Sequence, residues 1–169
     1  REQQVNMVSY LNVGSAWGVA AGNPKNFDPS NPCGATIAVQ TGTAQEEYAA
    51  ALSDECLAAG KEKITVMPHE LQTDIATKLT GGQYDATLAD STVIGYTSSQ
   101  SAGKIEQLGD TFESAPQGVA VAKDDAQLAE AVQKAMQYLM DNGYLNDILA
   151  SYGAENAALT TATLNPTVD

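Results

Sequence analysis

The sequence predicts an α/β fold in which a mostly parallel sheet is flanked by helices. From Ala35 onward, short apolar runs alternate with longer segments of helical character, which is the pattern of successive βαβ units. The helical segments also end at backbone breakers, at Gly60, at Gly81 and at Asn142-Gly143. We find no internal repeat and no low-complexity tract that would favour another class.

The elements follow in order from these signals. The first ten residues show no clear period, and the stretch from 21 to 34 (AGNPKNFDPSNPCG) reads as a loop because it is rich in proline and asparagine. The predicted strands are Ala16–Ala21, Ala35–Val39, Lys63–Met67, Tyr84–Ala89, Lys104–Leu108 and Gly118–Ala122. The predicted helices are Ala44–Ala59, His69–Thr80, Ser91–Ser98, Asp124–Met140 and Tyr144–Tyr152. Two of these helices have an apolar face, made of Leu71, Ile75 and Leu79 in one and of Leu128, Val132, Met136, Leu139 and Met140 in the other.

Composition narrows the function classes. The 169 residues carry a formal net charge of −13, so there is no basic surface for nucleic acid or anionic lipid. No apolar run approaches the length of a membrane span. Nothing at Arg1 resembles a signal peptide, so we expect the protein to be cytosolic or to have had its targeting segment removed.

The two cysteines fall within one strand–helix unit. Cys33 precedes the strand that begins at Ala35, and Cys56 lies near the end of the next helix. In a right-handed unit these positions can lie at the same edge, where a disulfide would close a loop of about 24 residues and contribute roughly 3 kcal/mol. Two unrelated buried thiols are the alternative. A disulfide would indicate an oxidising compartment.

The segment VQTGTAQEEY, Val39 to Tyr48, has the form of an anion-binding device. A strand, a tight turn at Gly42 and a helix N-terminus after Thr43 together direct backbone N–H groups at one point. The turn has neither the lysine nor the additional glycines that wrap a nucleotide phosphate. The pattern therefore does not favour nucleotide binding, and it leaves open which anion the turn would hold.

Asp90 ends the third strand of the alternating region, at the same sheet edge as Thr43, where open α/β sheets bind ligands. Its carboxylate is either a plain N-cap for the helix from Ser91 or a ligand contact. A carboxylate beside an anion site fits a zwitterion. Asp85 lies too far along the strand to act with Asp90 as an acid–base pair, and His69 is expected to be solvated or capping. We predict no catalytic residue, no metal site and no cofactor.

Four motifs in order resemble the polar amino-acid substrate-binding proteins of ABC importers, which have the type II periplasmic-binding-protein fold. They occupy Arg1 to Val5, Val39 to Tyr48, Leu79 to Asp90, and Gly118 to Gly143. The pair NPCG and SDECLAAGK is similar to the actinobacterial branch, in which the cysteines corresponding to Cys33 and Cys56 are usually bonded.

The resemblance implies a ligand site. Arg1 would clamp the α-carboxylate in the bidentate geometry that guanidinium suits. Gly42, Thr43 and Ala44 would complete the carboxylate site, and Asp90 would take the α-ammonium group. Ala44 stands where the family often has a second Thr or Ser. The run from Met7 to Leu11 also departs from the family's F-S-x-P-Y.

The resemblance also implies a domain organisation, with two α/β lobes joined by a two-stranded hinge. Residues 1–22 would be a remnant of the first lobe with the first hinge strand, and residues 31–117 a complete second lobe. Residues 118–152 would hold the second hinge strand and C-terminal helices of the first lobe, and 153–169 a tail. Most of the first lobe would be absent, so we expect a fragment that binds ligand weakly and covers its exposed apolar helix by forming a homodimer.

The function implied is that of a non-enzymatic extracytoplasmic protein. It would be periplasmic or a cell-surface lipoprotein, anchored only through a lipid outside this chain, and would deliver a polar amino acid to an ABC permease. Two alternatives stay open. One is the ligand-sensing extracellular domain of a receptor. The other is a cyclohexadienyl-dehydratase-like enzyme on the same scaffold, which would need a general acid that this chain does not offer.

Overall fold

The computed structural model describes residues 4–167, which form an α/β structure. Five strands make one sheet in the order β3-β2-β4-β1-β5. The strands are β1 (Val5–Ala20), β2 (Thr36–Gln40), β3 (Thr65–His69), β4 (Ala86–Asp90) and β5 (Ile105–Ala122). The helices are α1 (Ala44–Ala58), α2 (Gln72–Thr80), α3 (Ser91–Gln100), α4 (Ala126–Asp141) and α5 (Tyr144–Ala150), followed by a single 3-10 turn, Glu155–Ala157.

The sheet is mixed. Strand β2 pairs in parallel with both β3 and β4, as the βαβ pattern predicts. Strand β1 instead runs antiparallel to β4, with Ser15 opposite Asp90 and Trp17 opposite Leu88. The α/β class is therefore confirmed, while the prediction of a mostly parallel sheet is corrected to a mixed one. An apolar run alone does not encode the direction in which a strand enters the sheet.

The chain divides into two compact units. The first, Ser15–Phe112, is called the mid-chain unit and holds β2, β3, β4 and helices α1 to α3. The second, called the terminal unit, combines the chain up to Gly14 with the chain from Glu113 onward and holds α4 and α5. Strands β1 and β5 each continue from one unit into the other.

The core of the mid-chain unit has two layers because successive residues of β2 face opposite sides of the sheet. Ile37 and Val39 pack with Trp17 and Leu88 in one apolar cluster. Ala38, between them, belongs to a second cluster with residues of α2. All three β2 residues are fully buried, so helices cover both faces here, as in a parallel sheet.

The terminal unit has a smaller core. Leu11 and Val13 of β1 pack with Ala157 of the 3-10 turn. The close approach of β5 to β1 requires a glycine, because a Cβ atom at Gly118 would collide with the carbonyl oxygen of Val8. In α4 the buried residue is Ala129, so a smaller part of this helix is buried than of α1 or α2.

Several elements differ from their predicted limits. Strand β1 begins at Val5, and β5 is one strand where two short ones are predicted. Strand β3 extends through Pro68 to His69, so α2 starts only at Gln72. Proline is tolerated there because β3 is an edge strand. His69 is correspondingly not at a helix start; its Nε2 lies 2.6 Å from the hydroxyl of Tyr84.

No helix within residues 4–167 has the length and apolar character needed to cross a bilayer.

Candidate functional site

The connection from β2 to α1 is a tight, internally bonded turn. Gly42 has a φ of +75°, a conformation that glycine adopts without strain. Thr43 is the N-cap of α1: its hydroxyl accepts from the backbone N–H of Glu46 at 3.3 Å and donates to the carbonyl of Gln40 at 2.7 Å. The carboxylate of Glu46 reaches back to accept from the Gly42 N–H at 2.7 Å. Gly42 therefore allows the backbone conformation of the turn. Its N–H group already donates to Glu46.

The next donors in the turn are open. Within residues 4–167, the backbone N–H groups of Thr43, Ala44 and Gln45 make no hydrogen bond. These are the first groups of a helix, which have no intrahelical acceptor, and they lie at the positive end of the helix dipole. The predicted anion-binding character of this turn therefore rests on residues 43–45.

Asp90 occupies the N-cap position of α3 but does not cap it. Its backbone is non-helical, with φ −57° and ψ 141°, and its side chain makes no capping hydrogen bond. Oδ1 of Asp90 instead accepts from the side-chain amide of Gln45 at 2.8 Å. The plain N-cap interpretation, which the sequence left open, is thus the weaker of the two.

The same amide nitrogen of Gln45 also lies 3.2 Å from the hydroxyl of Ser15. Ser15 and Asp90 are opposite each other on β1 and β4, so Gln45 bridges the ends of two neighbouring strands from the first turn of α1. Gln45 brings the N-terminus of α1 and the Asp90 carboxylate together, as the shared sheet edge of Thr43 and Asp90 predicts.

Sequence reasoning did not identify Gln45. One signal was available, because Gln45 lies four residues before the buried Ala49 and so shares its face of α1. A polar side chain at a core-facing position is the informative exception to the burial rule, and a buried amide needs partners.

Among residues 4–167, Asp90 is a carboxylate without a cationic partner. Within the described residues, no Lys, Arg or His nitrogen comes within ion-pair distance of it. Asp85 is different, because it lies 3.3 Å from Lys25 Nζ and also accepts from the Thr36 N–H at 2.6 Å. Asp85 therefore ties a loop to β2, whereas Asp90 has no ion pair within residues 4–167.

The remaining predicted residues are placed as follows. Arg1 lies outside the described residues. Cys33 and Cys56 form the predicted disulfide, joining the loop before β2 to the last turns of α1. Among residues 4–167, no three His, Cys, Asp or Glu side chains are grouped so as to hold a metal ion.

The sequence and the fold are similar to those of known amino-acid-binding proteins. The chain is 36% identical over 166 residues, 98% of its length, to the arginine-binding protein ArgT of Corynebacterium glutamicum. The predicted resemblance to amino-acid substrate-binding proteins of ABC importers is confirmed. The chain spans 54% of the length of ArgT. No family model matches the sequence.

Solved structures of such substrate-binding proteins share the fold. One is a polar amino acid ABC uptake transporter substrate-binding protein from Streptococcus thermophilus, with a TM-score of 0.72 at 18% identity, over 94% of this chain and 61% of that one. Another is the substrate-binding protein AbpA of Streptococcus pneumoniae bound to L-arginine, with a TM-score of 0.62 at 19% identity, over 94% and 65%. These three relatives are binding proteins, which agrees with the prediction of a non-enzymatic protein.

Proposed function

We propose that this chain is the ligand-binding part of an extracytoplasmic solute-binding protein. It binds a polar amino acid by its α-carboxylate and α-ammonium groups and presents it to the permease of an ABC importer. Arginine is the first candidate ligand, because ArgT is named for arginine. The observation that carries the proposal is the pairing of open N–H groups at the start of α1 with the Asp90 carboxylate, linked through Gln45 at 2.8 Å.

The two charges of an amino acid divide between these groups. The α-carboxylate accepts from the open N–H groups of residues 43–45 and, as the resemblance implies, from Arg1. The α-ammonium donates to Asp90, whose charge is not neutralised by any base in the described part of the chain. A helix N-terminus alone would bind many anions, but the adjacent carboxylate favours a zwitterion over a simple anion.

The mid-chain unit corresponds in this proposal to the second lobe of a two-lobed binding protein. Ligand would stabilise the closed arrangement of the lobes that the permease recognises, which is a shift of a conformational population. The Cys33–Cys56 disulfide supports an oxidising, extracytoplasmic location. We also propose that this chain associates with itself through the apolar surface of α4 and α5.

The proposal is tested with ligands that lack one head group. L-arginine is titrated into the labelled chain by NMR, alongside agmatine, which lacks the α-carboxylate, and 5-guanidinopentanoate, which lacks the α-ammonium. We expect arginine to bind most tightly. Asp90→Asn should abolish the advantage of arginine over 5-guanidinopentanoate while leaving the affinity for 5-guanidinopentanoate unchanged.

The matched control is Asp85→Asn, because Asp85 is a carboxylate on the same strand–loop segment that is already paired with Lys25. Arginine affinity should survive this substitution. Equal binding of arginine and both analogues, or an Asp90→Asn variant that binds arginine like the wild type, would overturn the proposal.

The affinity itself is expected to be low. The chain corresponds to 54% of the length of ArgT. A ligand that is only partly enclosed buries less surface and gains no stabilisation from closure of two lobes. We expect a Kd in the millimolar range, equivalent to about −4 kcal/mol. A micromolar or tighter Kd for arginine would contradict the expectation that a further lobe is needed.

A further inference from the structure

We propose that Gln45 is a positioning residue: its side-chain amide fixes the orientation of the Asp90 carboxylate and so sets where an ammonium group binds. The inference rests on the proposed function, since it assigns a role within the same site. It concerns the side chain of Gln45, which contacts Asp90 and Ser15, and not its backbone N–H, which belongs to the proposed carboxylate site.

Gln45 is itself held firmly. It is the second residue of α1, whose start is fixed by the Thr43 cap, and only 9% of its surface is exposed. Its Nε2 has two hydrogens and faces two acceptors, Asp90 Oδ1 at 2.8 Å and Ser15 Oγ at 3.2 Å. Rotating the amide away would leave buried polar groups unpaired, which is unfavourable.

Asp90 depends on this contact for its orientation. Its side chain does not cap α3 and has no ion-pair partner within residues 4–167. The bond from Gln45 is the hydrogen bond that the described structure gives to its carboxylate. Without it, the carboxylate at this half-buried position would have no fixed donor to choose one side-chain rotamer over another.

A neutral donor is suited to this task. An ionised carboxylate has about four acceptor positions, and a single N–H from Gln45 uses one of them at Oδ1. The remaining positions and the full negative charge stay available to an ammonium group. A lysine or arginine in place of Gln45 would orient the carboxylate equally well, but it would neutralise the charge and compete with the ligand.

Ser15 completes the arrangement by occupying the second hydrogen of the amide. Because Ser15 is opposite Asp90 in the β1–β4 pair, the backbone positions of both acceptor residues are fixed by the same strand pairing. The amide therefore adopts one orientation relative to the sheet. The three side chains form a unit. The strand ends fix the orientation of the Gln45 amide, and the amide fixes the rotamer of the Asp90 carboxylate.

The first test is independent of ligand. The χ1 angle of Asp90 is measured through three-bond scalar couplings in the wild type and in Gln45→Met, which keeps the side-chain length and removes the donor. The control is Gln40→Met, an exposed glutamine on the same turn whose amide donates to the Glu70 carbonyl at 3.1 Å. We expect one Asp90 rotamer in the wild type and in Gln40→Met, and averaged couplings in Gln45→Met.

The second test measures arginine affinity in the same variants. Gln45→Met should weaken binding roughly tenfold, the size of a hydrogen bond to a charged group. In the Asp90→Asn background the same substitution should have no further effect, since it acts only through Asp90. Thermal unfolding of each variant checks that the fold is retained. If Gln45→Met does not fold, Ser15→Ala replaces it and should also broaden the Asp90 rotamer distribution.

A single Asp90 rotamer in Gln45→Met, or an equal loss of affinity in both backgrounds, would overturn the inference. If the wild type does not bind arginine at all, the proposed function fails, whereas the couplings of Asp90 still decide whether Gln45 orients it.

Discussion

Cys33 and Cys56 are joined by a disulfide with their Cα atoms 5.6 Å apart, at a sequence separation of 23. The bond ties the proline-rich loop before β2 to the helix that carries Thr43 and Gln45. Cys56 is itself 4% exposed and belongs to the main apolar cluster of the mid-chain unit. The cross-link therefore stabilises the same strand–helix unit that forms one side of the candidate site.

Removing this disulfide should destabilise the mid-chain unit. We expect Cys33→Ala/Cys56→Ala to lower the free energy of unfolding by about 3 kcal/mol, because a loop of this length loses its entropic constraint. Urea unfolding with and without reductant measures the effect, and reductant should leave the double variant unchanged. A titration that finds two free thiols in the denatured, unreduced protein would contradict the bond itself.

Truncation of the Thr43 side chain should weaken the start of α1. Thr43→Ala removes the hydroxyl that accepts from Glu46 and donates to Gln40, and loss of such a cap costs about 1 kcal/mol. Thr41→Ala is the matched control, since Thr41 is an exposed threonine on the same turn. Similar unfolding free energies for the two variants would show that the cap contributes nothing measurable.

The loop before β2 contains a second testable contact. The hydroxyl of Ser30 donates to Asp28 at 2.7 Å and the Ser30 N–H donates to it at 2.9 Å, and these bonds hold the pKa of Asp28 below its ordinary value. A lowered pKa means that the turn is favoured at neutral pH and loses this support as pH falls through the folded-state value. Carboxyl NMR titration should show the pKa rising in Ser30→Ala and staying low in Ser30→Thr.

The parts of the fold that sequence predicts well are those in which local signals and tertiary context agree. The limits of α1 match to within one residue because a threonine cap and a glycine stop frame it. The limits of β3 and α2 are displaced because Pro68 reads as a helix start, although its place at the sheet edge lets it remain in a strand. The direction of β1 depends on contacts far away in sequence.

The candidate site also has one part that the sequence predicts and one part that it does not. Thr43 and Asp90 are found at one sheet edge, as the topology of parallel strands requires. Gln45 was not identified, because its contacts depend on burial and on Ser15, which is 30 residues away on β1. The Asp90 carboxylate likewise accepts from Gln45 and makes no capping bond to the helix it precedes; this contact joins residues distant in sequence, and no local pattern carries the information.

The terminal unit presents apolar side chains that predict self-association. Leu128 and Tyr138 of α4 are 50% and 59% exposed, and Tyr144 and Ile148 of α5 are 50% and 55% exposed. Val132, Met136, Leu139 and Met140, which the amphipathic pattern places on one face of α4, are only half-buried. Burial of apolar surface is favourable by about 25 cal/mol for each Å2 removed from water, so a partner that covered these side chains would be stabilised.

We therefore expect the chain to form a dimer or larger assembly through α4 and α5, and sedimentation equilibrium at micromolar concentration measures its mass. Leu128→Glu/Ile148→Glu should shift the mass toward a monomer, because a charge buried in an apolar interface is costly. Leu57→Glu/Leu71→Glu is the matched control: these leucines are 55% and 58% exposed but lie in the mid-chain unit, so the assembly should persist. A monomeric wild type would mean that the half-buried face of α4 is satisfied within one chain. Equal dissociation by both double variants would place the interface elsewhere.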